Sequence, residues 1–334
     1  MSEFDFEVRL CARLESRGYP GRGAESAGPI VARQLGGAVH DPGARVVDIV
    51  LVDPGPEFEE RTAITSDAVP DLAIEADVPV GRAVPRREAF VDLPVSPERQ
   101  RAVVERAADV GFFERERRDG TEVVRQAAPY PDWYAGLTAI ENKPDLAEPG
   151  DLDRQLRFDV ALALFDRVVL ATRTYVTRAH LNRIPDLVGV WRVREGEIEV
   201  VRSAETLEAG GPGTEIVEEQ PGRTDIVTIT ASEKSRVRRR IAERAYGKGF
   251  RTYTFPACAR IGAAEHHGAG GLPHCSYHGR LVDPASDCGP DCPGHDSAPA
   301  PDVDLAAARD RNTPWEADPE GRARRQSGLD HFAE

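Results

Sequence analysis

The chain has 334 residues, of which 40% are hydrophobic and 30% charged, and its formal net charge is −14. This balance is typical of globular proteins with a polar surface, and the length suffices for one large or two ordinary domains. No apolar run approaches the length of about 18 residues that a membrane-spanning helix needs. The first residues, MSEFDFEVRL, lack the hydrophobic run of a signal peptide. We therefore expect a cytoplasmic protein with no membrane partner.

Lysine is rare in this chain. Only Lys143, Lys234 and Lys248 are lysines among 43 basic residues. An acidic chain that is poor in lysine suggests a halophilic protein from a salt-rich cytoplasm, where repulsion between like charges is screened. The alternative is a GC-rich genome, which also favours arginine. In either case, composition alone favours arginine at a basic position, so a lysine indicates a specific requirement for that side chain.

The N-terminal third begins with a predicted helix that ends at Gly18, since Phe4, Val8 and Cys11 follow helical spacing. The segment GPIVARQLGG, residues 28–37, suggests a short second helix. A strand follows over residues 46–54, because five of the seven residues from 46 to 52 are β-branched. Asp48 lies in this apolar run, where a buried carboxylate is costly unless it is paired or bound to a metal.

Residues 55–135 form a predicted insertion. Its first half is acidic and rich in proline. In its second half Ser96 is a suitable N-cap for a helix that has Pro97 in its first turn, and the hairpin after it turns at Asp119-Gly120. A helix followed by a charged hairpin resembles the end of a winged-helix module. A small inserted lid is the alternative.

The remaining elements continue this α/β alternation. In order, we predict a strand up to Pro144, a helix from Asp151, a strand over RVVLATRTYV and a hairpin at Glu195-Gly196. Residues 206–255 follow as a strand, a basic helix that ends near Gly247, and another strand. The chain then continues as a Cys/His-rich knuckle over 256–296 and a disordered tail over 297–334. The core is assigned to residues 1–54 and 136–205.

The sequence IENKPDL suggests the chemistry of this core. Glu141 and Lys143 are two residues apart on a strand, so their side chains project from the same face. Together with Asp48, Glu141 supplies the hard oxygen ligands that Mg²⁺ prefers. Lys143 supplies a compact ammonium that can hold a water molecule and neutralise phosphate charge. The alternative is a structural cluster of buried ions.

The order of these elements resembles the PD-(D/E)XK nuclease superfamily, and in particular its RecB-like branch. The resemblance implies a restriction-endonuclease-like mixed sheet flanked by helices. It also implies hydrolysis of DNA phosphodiesters with Mg²⁺ or Mn²⁺, in repair or end processing, with Asp48, Glu141 and Lys143 as catalytic residues. The sequence departs from this family in two ways. A long insertion precedes Glu141, and Asp159 stands where that branch has a tyrosine.

Two further residues come from the same resemblance. Gln155 takes the place of a catalytic glutamine that contacts phosphate or water, or else is an ordinary amide on a helix face. Glu7 takes the place of a metal ligand on the first helix, or else is a surface carboxylate. The alternative functions are a non-catalytic nucleic-acid-binding protein with a degenerate nuclease fold and a zinc-stabilised interaction protein.

The whole chain also resembles an uncharacterised family from salt-loving archaea. The likeness rests on the blocks LCARLE, GFFERERR, IENKPDL, AERAYGKGFRTY and CGPDCPG, in this order. It implies no activity.

Residues 231–251 carry eight basic and two acidic residues. A helix of this charge can follow phosphates, which predicts DNA as the partner. A solvated face paired with neighbouring acids is the alternative. The candidate nucleic-acid-binding residues are Lys234, Arg236, Arg238, Arg239, Arg240, Arg244 and Lys248.

The cysteines predict a second metal site. Cys258, Cys275, Cys288 and Cys292 lie close together in the sequence, and four thiolates suit structural Zn²⁺. One alternative is an iron–sulfur cluster that also uses Cys11; another is free thiols. Cys11 is otherwise a small buried apolar residue of the first helix.

Overall fold

The structure is a computed structural model that describes residues 2–22, 28–148 and 150–319. The chain divides into two compact units. Unit 1 comprises Met1–Asp53 and Gly136–Pro314, and unit 2 comprises Pro54–Ala135 and Trp315–Glu334. Each unit is described by itself.

The helices and strands are numbered along the chain. The helices are α1 (Glu3–Arg17), α2 (Phe58–Thr62), α3 (Asp71–Glu75), α4 (Arg86–Ala89), α5 (Pro97–Asp109), α6 (Leu152–Leu162), α7 (Arg178–Leu181), α8 (Ala231–Lys248) and α9 (Leu305–Asp310). The strands are β1 (Ile30–Gly36), β2 (Val46–Pro54), β3 (Val84–Pro85), β4 (Phe113–Arg118), β5 (Thr121–Gln126), β6 (Tyr134–Asn142), β7 (Arg167–Thr172), β8 (Gly189–Arg194), β9 (Glu197–Arg202), β10 (Gly213–Gln220), β11 (Arg223–Ile229), β12 (Ile261–His266), β13 (Ala269–Cys275) and β14 (Arg280–Leu281).

Unit 1 is built on a mixed sheet with the strand order β1-β2-β6-β7-β8-β9. Strand β1 runs antiparallel to β2, β6 and β8 run parallel to β7, and β9 runs antiparallel to β8. The α/β class and the mixed sheet flanked by helices are therefore confirmed. Smaller sheets, β10-β11 and β12-β13-β14, complete the described part of this unit.

Helix α1 packs on one face of the large sheet. The Ser2 hydroxyl caps it by accepting from the Asp5 N–H, and it ends before Gly18, as predicted. Its buried side chains share a hydrophobic cluster with Ile49 of β2 and Ile140 of β6.

The helix predicted over residues 28–37 is wrong, since this segment contains strand β1. Ile30 and Val31 pair with Val52 and Leu51 of β2, and both are buried. The short apolar run does not by itself distinguish a helix from a strand. Pairing with β2 decides the outcome because it buries the β-branched residues on a sheet.

The region around α8 differs from its prediction in two ways. The helix ends two residues later than expected, with Gly249 at its C-cap instead of Gly247. The strand predicted after it is wrong, since residues 251–255 have no strand assignment. Arg251 and Tyr253 there instead bond to the carbonyl oxygens of Gly270 and Gly271.

Both predicted hairpin turns are confirmed. Asp119 and Gly120 have φ values of 47° and 79°, and Glu195 and Gly196 have 51° and 82°. Positive φ at both central residues is the geometry of the tight turn that matches strand twist.

Unit 2 has a core of its own. Its sheet has the order β3-β5-β4, and α5 begins at the predicted N-cap, Ser96, with Pro97 in its first turn. Val104 of α5, Phe112 and Val124 of β5 are fully buried in one hydrophobic cluster. Its segment Pro54–Ala135 covers the predicted insertion of residues 55–135, and the unit also includes Trp315–Glu334.

Part of the predicted disordered tail is folded. Residues 305–310 form α9, whose Ala308 and Arg309 are buried, and Trp315 is buried with its indole N–H donating to the Ser66 carbonyl oxygen at 2.9 Å. The tail prediction is wrong for these residues because a few buried side chains suffice to anchor a polar segment. Its remainder, residues 320–334, lies outside the described part of the chain.

The search for membrane spans over the described residues found no helix that is both long and apolar enough to cross a bilayer.

Candidate functional site

Asp48 and Glu141 lie on neighbouring strands. Strands β2 and β6 are adjacent in the large sheet, and the Asn142 N–H donates to Asp48 Oδ2 at 2.9 Å. Glu141 is buried and Asp48 is half-buried. The structure therefore brings these two predicted carboxylates together on neighbouring strands of the large sheet.

The environment of this pair disfavours two negative charges. Burial raises the pKa of the Asp48 carboxyl, and the nearby charge of Glu7 raises it further. Burial likewise raises the pKa of the Glu141 carboxyl, and the charge of Asp48 adds to the effect. Such pKa shifts mark sites where a cation or a proton is favoured.

Glu7 reaches the same site from α1. It is buried and accepts from Arg33 Nε at 2.7 Å. The amide of Gln34 links it to Asp48, since Gln34 Nε2 lies 3.2 Å from Glu7 Oε1 and 3.4 Å from Asp48 Oδ1. Glu7 is thus beside Asp48 and is not the surface carboxylate of the alternative prediction.

Gln34 is held in an unusual backbone conformation. Its φ is 54°, a region that non-glycine residues occupy at some energetic cost. The Lys248 ammonium donates to the carbonyl oxygens of Arg33 and Gln34 at 2.8 and 2.9 Å. Lys248 therefore fixes the segment that carries Gln34.

Arg45 lies between two carboxylates of the site. One of its terminal nitrogens is 2.7 Å from both Glu141 Oε2 and Asp159 Oδ2, and all three residues are buried. Asp159 stands four residues after Gln155 on α6, the position where the resemblance has a tyrosine. That departure was the sequence signal for Asp159, whereas no motif pointed to Arg45 or Gln34.

Lys143 approaches the site from the end of β6. Its ammonium is 2.8 Å from Glu3 Oε1. This hydrogen bond raises the pKa of the ammonium, and the nearby charges of Glu141 and Asp48 add to the effect. Its side chain is 25% exposed. Lys143 thus retains access to solvent while it feels the charge of both carboxylates.

Gln155 does not join this arrangement. It is half-buried on α6, and within the described ranges its side chain forms no hydrogen bond. The predicted contact with phosphate or water stays a prediction.

The donor chemistry of the site suits a hard divalent cation. Glu141 Oε1 receives no hydrogen bond from the described residues, while its other oxygen is bound to Arg45. In the part of the chain that is described, however, no three His, Cys, Asp or Glu side chains are arranged to hold a metal ion. The carboxylates of Asp48, Glu141 and Glu7 offer the oxygen ligands that Mg²⁺ prefers. Arg45, which binds Glu141, is the competing cation.

The basic helix α8 is largely built into unit 1. Lys234 is buried and its ammonium donates to the Glu208 carbonyl oxygen at 3.0 Å. Arg238 donates to the Leu164 carbonyl oxygen and pairs with Asp166. Arg236 and Arg244 are exposed, and Arg239 and Arg240 are half-buried. The two flanking lysines, Lys234 and Lys248, thus bind backbone oxygens of this chain.

Three of the four late cysteines gather around one small core. Cys275 is buried in a cluster with Tyr253 and Phe255, and Cys258 and Cys288 pack against it. Burial and the neighbouring Cys275 raise the pKa of the Cys288 thiol to about 11, with contributions from Cys292 and Cys258. No metal-holding group is found among the described residues, so zinc stays a prediction.

Cys11 lies elsewhere. It is fully buried in the hydrophobic cluster between α1 and the large sheet, and burial raises the pKa of its thiol. This is the environment expected of a small buried apolar residue.

One comparison with known proteins gives a match. A model of the "Family of unknown function (DUF5787)" matches residues 30–297. No curated protein and no solved structure matches the chain.

Proposed function

Because the chain belongs to DUF5787, whose function is unknown, we propose an activity from its own residues: hydrolysis of DNA phosphodiesters with a divalent metal ion. The observation that carries the proposal is the placement of Asp48, Glu141 and Lys143. Two carboxylates with raised pKa lie on adjacent strands, and a partly exposed ammonium lies within electrostatic reach of both.

The order of elements supports the same proposal. Helix α1 is followed by β1, β2 and β6, and then by α6 and β7, which lies beside β6. This succession agrees with the restriction-endonuclease-like arrangement that the sequence resembles. The inserted unit 2 accounts for the long separation of Asp48 and Glu141 along the chain.

Each residue has a role in the proposed chemistry. Asp48 and Glu141, with Glu7 beside them, would hold Mg²⁺ or Mn²⁺. Such an ion supplies an activated water and stabilises charge on the phosphoryl oxygens. Lys143 orients the attacking water and neutralises negative charge that develops on the phosphate. Gln34 and Lys248 position Glu7 and Asp48 relative to each other.

A second candidate is a degenerate relative that binds nucleic acid without cleaving it. The contact of Arg45 with both Glu141 and Asp159 favours this candidate, since a guanidinium there balances the carboxylates in place of a metal. Buried ion clusters of this kind seldom add stability over apolar packing.

Cleavage of labelled duplex DNA with and without Mg²⁺ tests the proposal. Glu141→Gln should lower Mg²⁺-dependent cleavage by about 100-fold or more. Asp53→Asn is a matched control, because Asp53 is a carboxylate of the same strand as Asp48 that instead bonds to Tyr19 and Arg22. Equal cleavage by Glu141→Gln and the wild type would overturn the proposal, and absence of metal-dependent cleavage in the folded wild type would favour the second candidate.

A further inference from the structure

A basic cleft lies in unit 2. It has a volume of about 790 Å³, and its lining includes Arg86, Arg87, Arg101, Arg115 and Arg117. We call these five residues and the space between them the arginine cleft. The chain has a net charge of −14, so a cleft lined by five arginines has the opposite charge to the chain as a whole.

The arginines come from different elements of the unit. Arg115 and Arg117 alternate with Glu114 and Glu116 on β4, so they share the face of the buried Phe113. Arg115 lies opposite Val124, which is fully buried. The two arginines therefore extend the inner face of the hairpin beyond the core, towards Arg87 of α4 and Arg101 of α5. The positions are set by packed elements and not by a loose loop.

Arg86 braces the cleft. Its guanidinium donates to Glu122 Oε2 at 2.8 Å and to Gln100 Oε1 at 3.0 Å, and it reaches the Pro97 carbonyl oxygen at 3.3 Å. These contacts join the start of α4 to α5 and to β5. Arg86 thus has a structural role and its charge is already balanced.

The other four arginines have no such partners. Arg87, Arg101, Arg115 and Arg117 are exposed, and among the described residues none of them has a hydrogen bond or ion pair. Elsewhere on the same hairpin, Arg118 pairs with Glu116 and Arg125 with Glu114. Glu116 and Glu122, the acidic residues of the lining, are therefore already paired. The cleft is left with uncompensated positive charge that an anion would balance.

The lining indicates which anion fits. A guanidinium binds phosphate through two parallel hydrogen bonds, and several guanidiniums around one cleft suit a ligand with repeated phosphates. None of the lining residues is aromatic, so the cleft lacks the stacking surface that proteins use to bind unpaired bases. In a duplex the bases are already stacked and the phosphates face outwards.

We propose that the arginine cleft binds the phosphate backbone of duplex DNA, independently of sequence. This binding goes beyond the proposed hydrolysis because it requires neither a metal ion nor the residues around Asp48. Contacts to phosphates fix a protein on the duplex without specifying bases. The cleft would therefore confer affinity for duplex DNA even on a catalytically inactive chain.

Fluorescence anisotropy with a labelled mixed-sequence duplex, in EDTA and over a series of KCl concentrations, tests this proposal. The cleft variant combines Arg87→Gln, Arg101→Gln, Arg115→Gln and Arg117→Gln. The control variant combines Arg82→Gln, Arg99→Gln, Arg106→Gln and Arg125→Gln, which removes the same charge from the same unit at residues that neither line the cleft nor pair with its acidic residues. We expect the cleft variant to bind about tenfold or more weakly, and the slope of log affinity against log salt to fall by about 3 to 4.

The control variant should keep most of the wild-type affinity and slope. Equal losses in the two variants would overturn the proposal, as would tighter binding of single-stranded DNA or equally effective competition by polyglutamate. If the cleft variant does not fold by circular dichroism, the single variants Arg115→Gln and Arg117→Gln are compared with Arg125→Gln in the same assay. Binding is measured in EDTA, so it does not depend on the proposed metal site. Glu141→Gln should therefore lose cleavage and keep the wild-type affinity for DNA. A failure of the hydrolysis proposal and a failure of the binding proposal thus give different results.

Discussion

At the scale of single residues, Asp48 is placed where a charged carboxylate destabilises the folded chain. Its pKa is raised by burial and by Glu7, so the folded state binds a proton more tightly than the unfolded state does. The free energy of unfolding therefore falls as pH rises from the ordinary carboxyl pKa of about 4 through the raised value. Functional sites often carry such a cost in stability.

Asp48→Asn should therefore stabilise the metal-free protein at high pH. We expect its melting temperature in EDTA to exceed that of the wild type at about pH 8, with the difference shrinking at about pH 5, where the wild-type carboxyl is more fully protonated. Thermal unfolding followed by circular dichroism measures this. Added Mg²⁺ should raise the melting temperature of the wild type more than that of Asp48→Asn.

The control for this measurement is Asp53→Asn. Asp53 accepts from the Tyr19 hydroxyl at 2.7 Å, so its replacement should lower the melting temperature at both pH values. A loss of stability in Asp48→Asn at every pH would indicate that Asp48 belongs to a stabilising ion cluster.

Lys143 gives a second prediction at this scale. Its ion pair with Glu3 is partly exposed, and such pairs contribute about 1 kcal/mol or less to stability. Lys143→Ala should therefore leave the melting temperature nearly unchanged while metal-dependent cleavage falls by about 100-fold or more. Glu3→Ala, which removes the same ion pair, is the control and should keep most of the cleavage. Similar cleavage by Lys143→Ala and the wild type would contradict the assigned role.

At the scale of elements, α1 is joined to the segment after α8 by a buried ion pair. Both terminal nitrogens of Arg251 reach the Glu15 carboxylate, at 2.8 and 2.6 Å, and both side chains are almost inaccessible. Burial raises the pKa of the Glu15 carboxyl. This pair lies where the sequence predicts a strand, and it holds a segment that has no strand assignment.

Removal of one partner should be much more harmful than removal of both. Arg251→Met leaves a buried carboxylate without its cation and should cost about 3–5 kcal/mol. Glu15→Leu combined with Arg251→Met should recover much of that loss, since apolar packing can replace a buried ion pair. Urea unfolding of the two variants measures the difference. A double variant no more stable than Arg251→Met would contradict this account.

At the scale of the whole molecule, the cysteines predict a metal that holds the C-terminal part of unit 1. Cys258, Cys275 and Cys288 meet around one small core, and Cys292 acts on Cys288 electrostatically. We propose that they bind structural zinc, and we expect elemental analysis of protein purified without added metal to find about one zinc per chain. Proteolysis within residues 256–296 should become faster after chelation, because zinc binding is coupled to folding.

Two variants separate the alternatives for this site. Cys292→Ser should lower the zinc content, whereas Cys11→Ala should leave it unchanged, since Cys11 lies in a different cluster. Iron with labile sulfide that depends on Cys11 would favour the cluster alternative. Absence of any metal would leave the cysteines as free thiols.

The sequence by itself determined the elements whose causes are local. The Ser96 cap and the Asp119-Gly120 turn each depend on side chains within a few residues. The strand of Asp48 was equally predictable, because five of the seven residues from 46 to 52 are β-branched. The spacing of Glu141 and Lys143 followed from strand geometry alone.

Only the tertiary structure decided which distant residues meet. Strand β1 is a strand because β2 pairs with it, and Gln34 reaches Asp48 because its backbone is held at positive φ. Arg45 joins Glu141 to Asp159 across long sequence separations, and the arginine cleft combines residues of three elements. Local propensity and periodicity act over a few residues, whereas burial, pairing and electrostatic compensation depend on neighbours that the fold supplies.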